Sequence, residues 1–280
     1  MIWRVVQPGI VLGLIVGASL CRVPAGWGQG DTVAEPVARL QLQMAQQRGL
    51  PLYRQACAPC HGVRGDGQGP AAQGLEPRPH DFTQGVFKFR TTPVNAMPTD
   101  ADLLRTISEG IPGTAMPAWK HLLSEEQRSD LVQYIKTFAA EKFAAAASTP
   151  VEPLRVPSAP PATPARIANG QQIYERLQCW QCHGHSGRGD GPLAGLMRDV
   201  RNRPIRPQNF TKGVYKSGQL PEDLLRTVFT GLSGTPMPSY ATSISVEEGW
   251  DLVHYVRSLA RPKNLWYYLF VDTGEHFPGR

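Results

Sequence analysis

The sequence predicts an all-α fold in which one small helical domain occurs twice, joined by a Pro-rich linker. Three observations carry that prediction. First, the chain repeats itself: Cys57-Ala-Pro-Cys60-His61-Gly62 returns as Cys179-Trp-Gln-Cys182-His183-Gly184, and Asp81-Phe-Thr-Gln-Gly-Val-Phe-Lys88 returns as Asn209-Phe-Thr-Lys-Gly-Val-Tyr-Lys216. Leu103-Leu-Arg-Thr-Ile107 matches Leu224-Leu-Arg-Thr-Val228, and Gly113-Thr-Ala-Met-Pro117 matches Gly234-Thr-Pro-Met-Pro238. Each copy is about 100 residues, the size of a domain. Second, the apolar spacing is helical, whereas period-two strand runs are scarce. Third, Ala144 to Ala168 holds six prolines among Ser, Thr and Ala, a composition that favours an extended spacer over a core.

Taken in order, residues 1–25 read as an export leader. Arg4 precedes the uncharged apolar run Gly9 to Leu20, and Val23-Pro24-Ala25 gives a small-residue cleavage pattern. The alternative is a retained anchor, since Val5 to Cys21 approaches spanning length. Lipidation at Cys21 is disfavoured because Leu20 is not small. The first domain is expected over 40–143. Tyr53 lies on a helix leading into the Cys pair, a Gly-rich loop follows, and Leu103 to Glu109 forms a middle helix. Ser124-Glu-Glu-Gln127 is a capping box that opens a last helix with Leu131, Tyr134, Ile135 and Phe138 on one face. The linker is expected over 144–167, leaving the domains separable.

The second domain, 168–261, repeats this plan: Tyr174 precedes its Cys pair, Leu224 to Phe229 is the middle helix, and Ser245-Val-Glu-Glu248 opens the last one, with Leu252, Tyr255, Val256 and Leu259 on one face. Its loop between the Cys motif and Asn209 is six residues longer than the first copy's. An aromatic tail over 262–280, containing Leu265-Trp-Tyr-Tyr-Leu-Phe270, has no counterpart and is expected to pack on its own domain or against a partner subunit.

Charge separates the copies. The chain carries 29 basic and 23 acidic residues, a net +6. Arg4 and Arg22 carry +2 and from Asp31 to Lys142 the two signs cancel, so the remaining +4 lies in the second half, where Arg198, Arg201, Arg203, Arg206, Lys212 and Lys216 cluster. Such a cluster reads as a docking patch for an acidic partner or ligand, or as a solvated loop. No nucleic-acid motif accompanies it, which argues against a nucleic-acid partner.

Five cysteines are too few for a disulfide-dense scaffold, and four of them fall in two close pairs. A Cys-x-x-Cys pair alone fits zinc, a redox dithiol or haem. The histidine directly after each second cysteine narrows this to covalent c-type haem attachment, a pattern expected by composition on the order of 0.002 times in such a chain. Two thiols one turn apart can add to the two vinyl groups of a porphyrin, and the next imidazole reaches the iron. Cys57, Cys60, Cys179 and Cys182 are therefore expected to bind two haem c groups, with His61 and His183 as proximal ligands. Zinc would need two more ligands per site at finger spacing, and a thioredoxin-like dithiol would need alternating strands and helices; neither pattern is present.

The sixth ligand of each iron is expected from the repeat. In the first copy Met97, Met116, His80 and His121 are available. Only Met116 has a matching methionine, Met237, in the shared Gly-Thr-x-Met-Pro setting. Met97 faces Leu220 in the alignment and reads as core, and His80 and His121 read as surface or structural residues. Met/His ligation raises a haem's potential, which suits an electron carrier.

On these motifs both copies resemble class I cytochrome c domains, over about Leu50 to Lys142 and Ala168 to Arg261. The resemblance implies a three- to four-helix fold around a haem with one exposed edge, and electron transfer as the activity. It also implies that Pro70 and Pro192 support the proximal histidines and that Trp119 and Tyr240 neighbour the haem or its propionates. The expected protein is thus a non-enzymatic carrier. It is expected in the periplasm, anchored if its leader is retained, and serves redox partner proteins through an acidic docking surface or within a membrane respiratory complex. The alternative is a dihaem enzyme such as a peroxidase, which would need an open iron position.

Overall fold

The computed structural model describes residues 34–260; the expected leader and aromatic tail lie outside the described residues. Among the described residues, 40–260 form one compact unit holding both copies. Among the described residues the structure is helical, with no strand beyond one isolated bridge between Arg198 and Pro204.

The first copy comprises α1 (Ala34–Leu52), α2 (Ala58–His61), α3 (Asp100–Glu109), α4 (Glu125–Lys136) and α5 (Ala140–Ser148). The second comprises α6 (Pro164–Arg176), α7 (Trp180–His183), α8 (Pro221–Thr230) and α9 (Val246–Ser258). Both expected capping boxes form. Ser124 Oγ accepts from Gln127 N at 3.2 Å while the Gln127 side chain accepts from Ser124 N at 2.9 Å. The Ser245 and Glu248 pair repeats this at 3.1 and 3.0 Å. Each box satisfies two backbone donors that a helix start leaves unpaired.

In each copy the first long helix crosses the last at a glycine. A Cβ at Gly49 would collide with the Asp130 carbonyl oxygen, and one at Gly170 with that of Asp251. Beside each crossing the same aspartate anchors the earlier helix. Arg48 donates to both Asp130 oxygens at 2.7 Å, while Arg166 and Asn169 each donate to Asp251 at 2.6 Å. The cores lie beneath these crossings. Tyr53, Leu131, Val132 and Ile135 are buried in the first copy, and Ile173, Tyr174, Leu225, Trp250 and Val253 in the second. Tyr134, Phe138 and Leu259 pack at the margins of those cores. Met97, expected in the core, is partly buried against the first cluster.

The linker departs from a free spacer. Residues 140–148 are helical, so the irregular stretch is 149–163, and it is fastened at both ends. Leu154 N donates to Thr91 O of the first copy at 2.8 Å. Leu154, Val156 and Ala159 pack on the second core, and Ala159 N donates to Glu222 at 3.0 Å. Proline fixes the chain's direction, while the interspersed aliphatic residues supply the adhesion that a proline count alone hides.

The copies meet across a pseudo-two-fold seam. A Cβ at Gly113 would lie 3.3 Å from Val214, and one at the matching Gly234 would lie 2.9 Å from the matching Val86. Reciprocal contact of equivalent residues is the mark of an isologous interface. Arg105 reaches its own Asp102 at 3.7 Å and the equivalent Asp223 across the seam at 3.8 Å. Buried Arg90 donates to Thr230 O at 2.9 Å, placing a cation on the carbonyl end of α8, where the helix dipole favours it.

Candidate functional site

Each Cys-x-x-Cys-His motif folds onto a short helix. In the first copy a π turn, Tyr53–Cys57, runs into α2, so Cys57, Cys60 and His61 share little more than one turn. The buried Tyr53 hydroxyl donates to Gly62 O at 2.7 Å and closes the motif from behind; Tyr174 does the same to Gly184 O at 2.7 Å. The Gly-rich loop then wraps back over the motif. Gly67 N donates to His61 O at 2.8 Å, and Gly189 N donates to His183 O at 2.8 Å. These bonds make Gly67 the counterpart of Gly189, so the quartets Arg64-Gly-Asp-Gly67 and Arg188-Gly-Asp-Gly191, identical in sequence, sit two residues out of step in space.

The imidazoles are held alike. His61 Nδ1 lies 3.0 Å from His80 O, and His183 Nδ1 lies 3.1 Å from Gln208 O. A carbonyl can only accept, so Nδ1 carries the proton and Nε2 keeps its lone pair. Burial pushes both histidines below the usual imidazole range, against the opposing effect of the carbonyl bond, which favours the neutral, ligating form. An aromatic ring stacks on each: Phe82 on His61 at 4.6 Å and Phe210 on His183 at 4.5 Å. Here the expectation drawn from the resemblance is corrected. Pro70 and Pro192 are exposed and support neither histidine; the supporting carbonyls belong to His80 and Gln208, each directly after a proline, Pro79 and Pro207. Of the two readings left for His80, surface or structural, the structural one holds. Its ring lies 5.4 Å from Phe82 and 5.1 Å from Phe87, and its Nε2 is buried without a partner. His121 is exposed.

The two methionine loops are superimposable turn by turn. Ile111 N donates to Met116 O at 3.0 Å, and Met116 N donates to Thr114 Oγ1 at 3.2 Å. Leu232 N, Met237 and Thr235 repeat the pattern at 3.1 and 3.2 Å. The residue three places on ties each loop to its Cys motif. Trp119 packs on the cluster containing Cys57, and the Tyr240 hydroxyl is pushed up to about 12, chiefly by burial and further by the neighbouring Cys179 and Cys182.

None of the four motif cysteines is in a disulfide. Burial, with a smaller contribution from the neighbouring thiol, pushes Cys57 up to about 12, and burial likewise leads at Cys179, which also reaches about 12. Among the described residues no three His, Cys, Asp or Glu side chains gather as a metal site. Two thiols a turn apart, a neutral imidazole with Nε2 free, and a thioether in a fixed loop are a donor set that fits haem c in each copy.

The basic cluster is used differently from the expected open patch. Arg201 crosses the seam to donate to Asp81 at 2.5 Å and to Asp66 O at 3.3 Å. Arg203 folds back on Asp199 at 2.9 Å. Arg198 and Arg206 are exposed. Sequence reading missed this clasp, and also missed Phe82, Phe210 and the two carbonyls, although all four positions adjoin or lie within the repeated Asp81 to Lys88 and Asn209 to Lys216 segments.

Known proteins bear on the same two regions. The family of cbb3-type cytochrome c oxidase subunit III matches residues 45–135, and the cytochrome c family matches residues 167–260. A chain in the structure of the Kuenenia stuttgartiensis reducing HAO-like protein complex Kustc0457/Kustc0458 is similar at 43% identity and TM-score 0.72, covering 77% of this chain and 96% of that one. The cbb3-type oxidase subunit FixP of Azorhizobium caulinodans is 24% identical over 78% of this chain and 61% of its own length. For the subunit CcoP of an Azospirillum species the values are 24%, 79% and 64%. The chain thus spans about three fifths of the length of the curated relatives it matches. It belongs to the cytochrome c family, as an all-α member with two tandem domains that carry two covalently bound haem c groups.

Proposed function

We propose that this protein is an electron-transfer cytochrome working outside the cytoplasm as a subunit or close partner of a respiratory redox complex. In this reading Cys57 and Cys60 hold one haem and Cys179 and Cys182 the other. His61 with Met116 and His183 with Met237 are the axial pairs. Bound haem supplies a one-electron iron couple. The chain's own part is to ligate, to orient and to exclude water: the His80 and Gln208 carbonyls fix the imidazoles, and Phe82 and Phe210 cover them. The observation that carries the reading is the pair of identical methionine loops, since a peroxidase-type enzyme needs one iron left open. Relatives described as oxidase subunits, and one found in an HAO-like protein complex, support a multi-subunit partner. The leader pattern supports export; among the described residues no helix is long and apolar enough to cross a membrane.

The test is substitution of each methionine in the holoprotein. Met116→Ala and Met237→Ala should each abolish half of the methionine-to-iron charge-transfer absorbance and lower one of two potentials by a sizeable part of the roughly 0.8 V that axial ligands span. A variant that leaves both potentials in place refutes the assignment at that position. A resting high-spin haem that binds peroxide in the unaltered protein would favour the enzyme instead.

A further inference from the structure

The wall behind His61 is held from outside its own domain. The His80 carbonyl aims His61 and the Phe82 ring covers it, and between these two residues lies Asp81. The Asp81 side chain is 5% exposed. Its Oδ1 accepts from Thr83 N at 3.0 Å and Thr83 Oγ1 at 2.6 Å, which shapes the turn that carries Phe82. Its Oδ2 accepts from Arg201 Nη1 of the second copy at 2.5 Å. The same nitrogen reaches Asp66 O at 3.3 Å, in the loop whose Gly67 N is bonded to His61 O and whose Gly65 O receives Phe82 N at 2.7 Å. One guanidinium nitrogen thus ties together the two segments that bond His61.

The arm that delivers Arg201 is fixed at its base. Asp199 Oδ1 accepts from Arg201 N and Arg203 N, both at 2.9 Å, and Val200 N donates at 3.1 Å to Gly234 O in the methionine loop of the second copy. Two consecutive residues are therefore bonded to opposite copies. The second copy's own wall has no such support. Asn209 stands in the place of Asp81 and shapes the same turn through Thr211 N and Thr211 Oγ1 at 3.0 and 2.7 Å. Arg78, the arginine of the shorter first-copy loop, turns back onto Ala72 O at 2.9 Å. The turn itself needs only an acceptor oxygen, so the negative charge at position 81 serves the bond to Arg201, of the strong charge-assisted kind.

We propose that Arg201 is a positioning residue for the first haem supplied by the second copy, fixing the orientation of His61 through Asp81 and the Asp66 carbonyl. Groups behind a ligating histidine set its ring orientation and basicity. The inference rests on the two-haem reading and adds that ligation of the first iron depends on closure of the seam, whereas that of the second does not.

The holoprotein tests this. In the oxidised state Arg201→Gln should displace one of the two sets of hyperfine-shifted proton resonances, the set that also changes in Met116→Ala. The same haem's reduction equilibrium should shift about threefold toward the oxidised form, about 28 mV for one electron at about 59 mV per tenfold. The second haem's resonances and potential should stay, and Arg201→Lys, which keeps a cation for Asp81, should restore most of the change. Amide exchange at Phe82 should quicken while that at Phe210 holds. Lost charge by itself also moves a potential, so the deciding variant is Arg201→Gln combined with Asp81→Asn, which removes opposite charges together and keeps the turn as Asn209 does. Positioning predicts that the first set of resonances stays displaced there. Its return to the unaltered place marks a charge effect and overturns the proposal, as do unmoved resonances and potentials in Arg201→Gln protein carrying both haems. Should Arg201→Gln fail to fold, Asp81→Asn alone decides: an unmoved first set overturns the proposal. A mass lacking two covalent haems refutes instead the reading beneath it.

Discussion

The two copies agree in the hydrogen bonds that close each Cys-x-x-Cys-His motif and fix its histidine, and they differ most in one loop at the seam between them. Tyr53 and Tyr174, the His80 and Gln208 carbonyls, and the two methionine loops match to within 0.1 Å in their hydrogen bonds. The loop before the aromatic segment does not: the second copy's longer loop carries Arg201 onto Asp81, and the first copy's shorter loop has no equivalent arginine. Duplication preserved the pocket and let the seam become one-sided. The cationic cluster that distinguishes the second copy in sequence is therefore in part an internal fastening rather than a surface for strangers.

The largest effects should be equal in the two copies. Asp130→Ala and Asp251→Ala each remove a nearly buried carboxylate that anchors the earlier helix at its crossing, and each should cost about 2–3 kcal/mol in thermal unfolding of the holoprotein. A clear inequality would show that the matched crossings are not energetically matched. The next effect should be one-sided. Arg201→Ala leaves Asp81, 5% exposed, without its partner and should cost about 1–2 kcal/mol, less than a fully buried pair because Arg201 is itself 30% exposed. Hydrogen exchange should then rise on both sides of the seam and stay unchanged at the Tyr53 and Tyr174 closures; protection retained at the seam would mean that Gly113, Gly234 and Arg90 hold it alone.

The smallest effect concerns Asp199. Burial by itself would raise its carboxyl, but the N–H groups of Arg203 and Arg201 and the Arg203 guanidinium outweigh burial and hold it below the ordinary range. A carboxyl depressed in the folded state contributes stability above its unfolded value, about pH 4, and that contribution is lost as pH falls through the depressed value. Acid should therefore loosen the long loop of the second copy before the matching short loop of the first. Amide exchange at Arg201 and Arg203 between neutral pH and about pH 3 measures this, and Asp199→Asn should remove the difference.

Much of this was legible in the sequence because it depends on residues near one another along the chain. The capping boxes, the haem-type motifs and the methionine turns are each closed within a handful of positions, and the repeat singled out Met116 and Met237 from other methionines. What stayed hidden depends on partners far away or on atoms without identity. A backbone carbonyl supports the proximal histidine, and any residue type can offer one, so His80 and Gln208 left no signature and a nearby proline drew the assignment instead. Gly49 and Gly170 were not singled out, because the reason for them lies some eighty residues further on, at Asp130 and Asp251. Arg201 meets Asp81 across 120 residues. The linker's aliphatic residues likewise had no visible destination until the second core was in place.

That linker has a consequence for how firmly the copies associate. Because Leu154 is bonded to the first copy and Val156 and Ala159 lie on the second, each copy meets the other at the effective concentration set by a short, partly fixed tether, of millimolar order. Such a tether favours closure of the seam beyond what its own contacts supply. The duplication thereby gained a lasting partnership between its halves without needing a large interface, and the freedom to make that interface asymmetric followed from it.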